Sequence, residues 1–124
     1  VIPEPALAAE LNELLGRDDF VRLAETYGGT RLFVPRRIAE TKLSHSLGGT
    51  VAERLAERYA GSYLRVPLAR GERARHYRER GLSNAEIARK LGLTETGVDK
   101  IFARMDGKPE KGADSRQGQL FPLD

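Results

Sequence analysis

Apolar and small residues between Asn84 and Ala103 (NAEIARKLGLTETGVDKIFA) fall at the spacing of two short helices that cross. Ile87 and Leu91 share one face of the first helix, with Ala88 beside them where a second helix can approach closely. Gly92 permits a tight turn, Leu93 plugs it, and Val98 and Ile101 face back from the second helix. Ser83 followed by Glu86 reads as a capping box for the first helix, and Thr94 suits the N-cap of the second. The pattern predicts a helix-turn-helix. It leaves Thr94, Glu95, Thr96, Gly97, Lys100 and Arg104 pointing outward, a small, polar and basic set of the kind that enters a DNA major groove. The bland alternative is a helical hairpin that only packs on its own domain.

The rest of the chain carries weaker periodicities and one internal repeat. Leu7, Leu11, Leu14 and Leu15 lie on one side of a short helix, Ala6 to Leu15, that Gly16 ends. Asp18 and Asp19 favour the start of a second helix with Phe20, Leu23, Ala24 and Tyr27 as its apolar face. A third helix, starting somewhere from Ser44 to Thr50, runs to Tyr59 with Val51, Leu55 and Tyr59 inward, and Arg70 to Arg80 forms a fourth, strongly basic one ended by Gly81. The segment Leu23 to Pro35 recurs 32 residues later as Leu55 to Pro67, identical at eight of thirteen positions. Each copy reads as a helix end, a Gly stop and a short strand closed by Pro, with Leu32/Val34 and Leu64/Val66 alternating at period two. Strands this short cannot stand alone in water, so they pair with each other or, in a dimer, with the partner's strands. Alternation puts Tyr63 and Arg65 on the face opposite Leu64 and Val66, where they can meet DNA. The first strand, with the fully apolar Phe33, is expected to be chiefly structural.

Charge sharpens this picture because it is unevenly placed. Residues 1–60 carry eight Lys/Arg against nine Asp/Glu, residues 61–105 ten against five, and residues 106–124 three against four. The excess of +5 coincides with the helix-turn-helix and gives phosphate an electrostatic footprint, consistent with a pI near 9.4. Arg73 is a candidate phosphate contact within it, although Arg73, Arg75, Arg78 and Arg80 could equally be a solvated face paired with Glu72 and Glu79.

Length and composition exclude several classes. The 124 residues suffice for one compact domain or two very small ones, not for a large enclosed active site. No apolar run approaches a membrane span and no signal peptide is visible, so a cytoplasmic location and no membrane partner are the default expectation. Without Cys there is no disulfide framework or thiolate metal site, and His45 and His76 have no neighbouring ligand spacing, so no metal and no cofactor are expected. No Gly-x-Ser-x-Gly, phosphate loop or paired-carboxylate motif is present, and the chain does not read as an enzyme. From Asp106 onward Gly, Pro, Lys, Asp and Gln give a tail. Its Gln117, Leu120 and Phe121 resemble the short Gln-x-x-Leu-Phe motif by which bacterial replication proteins dock on the sliding clamp; a tail folding back on an apolar groove is the plainer reading.

PALAAELNELL near the start, the Gly-strand-Val-Pro element ending at Pro67, the basic helix after it and GLSNAEIARKLGLTETGVDKIFARM together resemble the Mor/C family of phage middle- and late-gene transcription activators. The resemblance covers about Pro5 to Met105 and rests on the order and spacing of modules. It implies an N-terminal dimerisation domain, a strand linker, a C-terminal helix-turn-helix that places one reading helix per subunit in DNA, and activation by contact with RNA polymerase. It also implies that Tyr63 and Arg65, between the strand's Gly and Pro, approach the DNA between the half-sites. Those relatives carry one Gly-strand-Pro element where this chain has two, so the resemblance does not extend to Arg31 and Phe33.

The expected architecture is therefore mainly α: residues 1–67 a helical dimerisation domain with two helix-Gly-strand-Pro repeats, 68–105 a helix-turn-helix DNA-binding domain, and 106–124 a tail. The expected function is that of a homodimeric, sequence-specific regulator of phage or prophage promoters that binds double-stranded DNA. The alternatives are an architectural or partition-type DNA binder and the DNA-binding part of a small recombinase or transposase.

Overall fold

A computed structural model of the chain describes residues 4–37, 41–105, 107 and 109–112. Among them are seven helices and two short strands: α1 (Glu4–Leu15), α2 (Arg17–Tyr27), β1 (Arg31–Phe33), α3 (Lys42–Leu47), α4 (Gly49–Tyr59), β2 (Tyr63–Arg65), α5 (Arg70–Glu79), α6 (Asn84–Leu91) and α7 (Glu95–Arg104). The protein is mainly helical, and no helix among the described residues is long and apolar enough to cross a membrane. Two compact units divide between Ala69 and Arg70.

The N-terminal unit is built from two copies of one pattern: helix, Gly, helix, Gly, strand. Gly16 separates α1 from α2 and Gly48 separates α3 from α4, both at positive φ, 83° and 90°. The repeat visible at Leu23 to Pro35 and Leu55 to Pro67 thus reaches back over both preceding helices, pairing the buried Leu11 and Leu15 with the buried Leu43 and Leu47. The single third helix expected from the sequence is in fact two. Thr41 and Ser44 cap α3 reciprocally, and Gly48, at a φ that only Gly adopts without strain, breaks the run before α4 begins.

The strands of the two copies pair with each other, antiparallel, in the register Arg31↔Arg65, Leu32↔Leu64 and Phe33↔Tyr63. Matched bonds continue the ladder at both ends: Gly29 N–H donates to the Val66 carbonyl (2.8 Å) as Gly61 N–H does to Val34 (2.7 Å), and Val66 N–H to Thr30 (2.9 Å) as Val34 N–H does to Ser62 (2.9 Å). This pseudo-twofold ribbon pairs each strand with the other along one edge within a single chain and packs both on helices, so isolated strands no longer call for a partner subunit. Leu32, Val34, Leu64 and Val66 point into a core shared with Leu11, Leu15, Phe20, Leu23, Leu43, Leu47 and Leu55.

Symmetry-related tyrosines tie each copy to the first helix of the other. Tyr27 shares a 2.6 Å hydrogen bond with Ser46 on α3, and Tyr59 donates to Glu10 Oε1 on α1 at 2.7 Å, an oxygen that also accepts from Arg58 at 3.2 Å. Tyr59 and then Arg58 hold the Glu10 carboxyl below its usual range, while burial and then the bond to Glu10 push the Tyr59 phenol up from 10.0 to about 12. A folded-state value above the unfolded one means that the stability contributed is complete below pH 10 and is lost as pH rises from 10 through about 12. Alkaline titration followed by phenolate absorbance is expected to show a tyrosine step displaced to about 12, and Tyr59→Phe to reduce it. A late step of unchanged amplitude in Tyr59→Phe would contradict the assignment.

In the C-terminal unit α5, α6 and α7 enclose a small core of Ala74, Tyr77, Ile87, Ala88, Leu91 and Val98. Ile101, expected inside, is only half-buried. The tail residues Gln117, Leu120 and Phe121, with their clamp-like motif, lie outside the described residues.

Candidate nucleic-acid interface

The α6–α7 pair is fixed at each of its corners by local chemistry. Ser83 accepts from the Glu86 N–H at 3.2 Å while Glu86 accepts from the Ser83 N–H at 3.0 Å, a complete capping box that satisfies two otherwise unpaired donors. At the other end Gly92 takes the left-handed conformation (φ 68°, ψ 35°), and both its N–H and that of Leu93 bond back to the Ala88 carbonyl. Thr94 then caps α7 by accepting from the Gly97 N–H at 3.1 Å. Asn84 at the start of α6 donates to Asp99 on α7 at 2.6 Å, linking the helices on their polar side as Ile87, Ala88, Leu91 and Val98 do on the apolar one.

This locking presents one face of α7 to solvent. Thr94, Glu95, Thr96, Lys100 and Arg104 are exposed, and Gly97 among them is half-buried. A Cβ on Gly97 would meet Leu93 and the Thr94 hydroxyl at 3.5 Å, ordinary contact distance, so packing alone does not require glycine here. The N-terminal turn of α7 therefore offers a polar surface, with the Lys100 cation in the turn that follows.

Arg73 stands elsewhere. It is half-buried, donating from Nε to the Tyr77 hydroxyl at 3.2 Å and from its terminal nitrogen to the Lys90 carbonyl at 3.1 Å. Its guanidinium thus closes the C-terminal end of α6, where a cation is favoured by the exposed carbonyls and the helix dipole. Arg78 is likewise engaged, donating to the Leu82 carbonyl at 3.1 Å and lying 5.0 Å from the Phe102 ring centre. Two of the four arginines of α5 are thus occupied by contacts within the unit. The cations exposed on the two later helices are Arg89, Lys90, Lys100 and Arg104, of which the sequence pattern singles out only the last two.

On the N-terminal unit Tyr63 and Arg65 are exposed, as alternation predicts, with Leu64 buried between them. The first strand behaves identically: Arg31 and Phe33 are exposed on the same face of the ribbon, about the buried Leu32. Phe33, expected to pack inside, is 45% exposed and contacts the Tyr63 ring, itself 60% exposed, at a centroid distance of 5.1 Å. No protein-family model, curated protein or solved structure matches the chain. The interface thus rests on its own geometry.

Sequence alone does not single out Arg31 and Phe33. The period-two signal that turns Tyr63 and Arg65 outward is present in the first copy too, and the apolar character of Phe33 masked it. A two-stranded ribbon has a single covered face, so one strand cannot be inward while the other is outward. Among the described residues no group of three or more His, Cys, Asp or Glu is arranged to hold a metal ion.

Proposed function

We propose that this chain is a sequence-specific regulator of transcription that binds double-stranded DNA through a helix-turn-helix formed by α6 and α7. The observation that carries the reading is the solvent-facing set Thr94, Glu95, Thr96, Lys100 and Arg104 on a helix whose start, turn and inner face are all fixed by named contacts. Lys100 suits guanine acceptors, Glu95 accepts from cytosine, and Thr96 can touch a thymine methyl, so α7 carries direct readout. Arg104 at its end contacts phosphate, and Tyr63 and Arg65 lie along the DNA between half-sites.

A single reading helix addresses few base pairs, and two copies about one helical turn apart gain both affinity and specificity; we therefore place the chain as a homodimer on a two-fold related site. The module order shared with the Mor/C activators extends this to activation of phage or prophage promoters by contact with RNA polymerase. The pairing of β1 with β2 inside one chain favours a second reading, an architectural DNA binder that acts as a monomer. Light scattering on the protein with and without its selected site, followed by transcription from a matching promoter, separates the two. The first reading requires two chains per site and promoter-dependent transcript; one chain per site and no transcript supports the second.

Gly97 offers a test in which stability and function move oppositely. Alanine fits at that position and is the better helix former, so Gly97→Ala is expected to raise stability by about 0.5–1 kcal/mol in urea unfolding. If the backbone of α7 approaches the duplex at Gly97, the added methyl holds the helix off, and affinity for the selected site falls by roughly tenfold or more, about the cost of one lost direct contact. Increased stability with unchanged affinity would mean that the duplex does not approach the α7 backbone at Gly97.

A further inference from the structure

Within the repeated segment every buried residue has an identical mate: Leu23 and Leu55, Ala24 and Ala56, Tyr27 and Tyr59, Leu32 and Leu64, Val34 and Val66, Pro35 and Pro67. The exposed face of the ribbon breaks this agreement. The first copy has Arg31 where the second has Tyr63, and Phe33 where the second has Arg65. Because the strands run antiparallel, that exchange gathers like with like. Arg31 faces Arg65 at one end of the ribbon, and Phe33 faces Tyr63 at the other. Had the two copies kept the same residues here, each end would have held one cation and one aromatic.

Like charges directly opposite one another on an antiparallel pair are unfavourable by themselves. Neither Arg31 nor Arg65 forms an ion pair with a carboxylate among the described residues; Arg31 lies 4.4 Å from the centre of the Tyr63 ring instead. A groove of about 530 Å³ runs along β1 and is lined mainly by apolar atoms, with Arg31, Thr41 and the exposed Lys42 on it beside Phe33 and Pro35. Two arginines opposed in the ladder, with a lysine on the groove beside one of them, are complementary to closely spaced phosphates, and the exposed rings of the same face suit the sugar edge of the same backbone. An acidic protein surface would supply single carboxylates and gives no role to the aromatic pair.

We infer that the whole outer face of the ribbon is a DNA-backbone contact to which the first strand contributes as much as the second: Arg31 and Arg65 hold phosphates, and Phe33 and Tyr63 cover the adjoining sugars. This rests on the DNA-binding reading above and adds the first strand to it.

The test uses the full chain and two labelled duplexes of equal length, one of random sequence and one carrying the site selected by the protein, titrated by fluorescence anisotropy over a range of salt. Arg31→Ala and Arg65→Ala are each expected to weaken binding to both duplexes roughly tenfold at 0.1 M salt and to lower the salt slope by about 1. Phe33→Ala weakens binding with the slope unchanged. Arg54→Ala, an exposed cation on α4 of the same unit, changes neither. Both arginine variants keep a cooperative urea transition, and Arg31→Gln, which removes the charge but keeps a polar side chain, gives the same loss of binding. The proposal is overturned if Arg31→Ala matches Arg54→Ala on both duplexes while Lys100→Ala still weakens the selected site, a result that leaves the α7 reading intact. It is overturned as well if the protein prefers a single strand or heparin to the duplex. No binding of either duplex by the parent protein would remove the DNA reading itself.

Discussion

Leu64→Asp is expected to abolish the folded N-terminal unit rather than to separate two intact subunits. Leu64 is 5% exposed, lies opposite Leu32, and packs in the core that both copies of the repeat share. Moving a leucine of this burial out of the core forfeits about 1.5–3 kcal/mol, and an unpaired carboxylate in its place adds a further penalty of about 2 kcal/mol or more. Their sum is comparable with the whole stability of a small domain, about 5 kcal/mol at the low end. Circular dichroism through a urea titration should therefore show the loss of much of the helical signal at zero denaturant. A variant that keeps its full transition and only halves its mass in light scattering would mean that the strands pair between chains instead of within one.

The same position illustrates what the sequence made legible and what it did not. Alternation at Leu32/Val34 and Leu64/Val66 identified the strands, and Gly, Ser and Thr marked the helix ends at Ser83, Gly92 and Thr94 because each of those signals is local. The choice between pairing within the chain and pairing across a dimer is not local. It depends on the connection through α3 and α4 bringing β2 back beside β1, and the weakest stretch of pattern, from Arg36 to Thr50, hid α3. A six-residue helix ended by Gly48 is too short to show a periodicity of its own. The candidate interface divides in the same way. Exposure of Thr94, Glu95, Thr96, Lys100 and Arg104 followed from spacing against the buried Val98. The engagement of Arg73 with the Lys90 carbonyl could not be foreseen, because it joins two helices that only the fold brings together.

Lys100→Ala is expected to leave the fold unchanged and to cost about 1–3 kcal/mol of affinity for the preferred site, with the loss confined to one base pair. Lys100 is exposed on α7, so its removal opens no cavity. Arg104→Ala should instead weaken all sequences alike and flatten the salt dependence, as a phosphate contact does. The two variants thus separate reading from holding on one helix, and they do so without reference to oligomeric state or to the ribbon.

The most direct measurement is selection of bound sites from random double-stranded DNA by the parent protein and by Lys100→Ala in parallel. A helix-turn-helix reading through α7 predicts an enriched motif of two related half-sites about one helical turn apart, in which Lys100→Ala relaxes one base pair of each half-site and leaves the others. An absence of any enriched motif for the parent protein, or a motif that Lys100→Ala leaves untouched together with Gly97→Ala and Glu95→Ala, would contradict it.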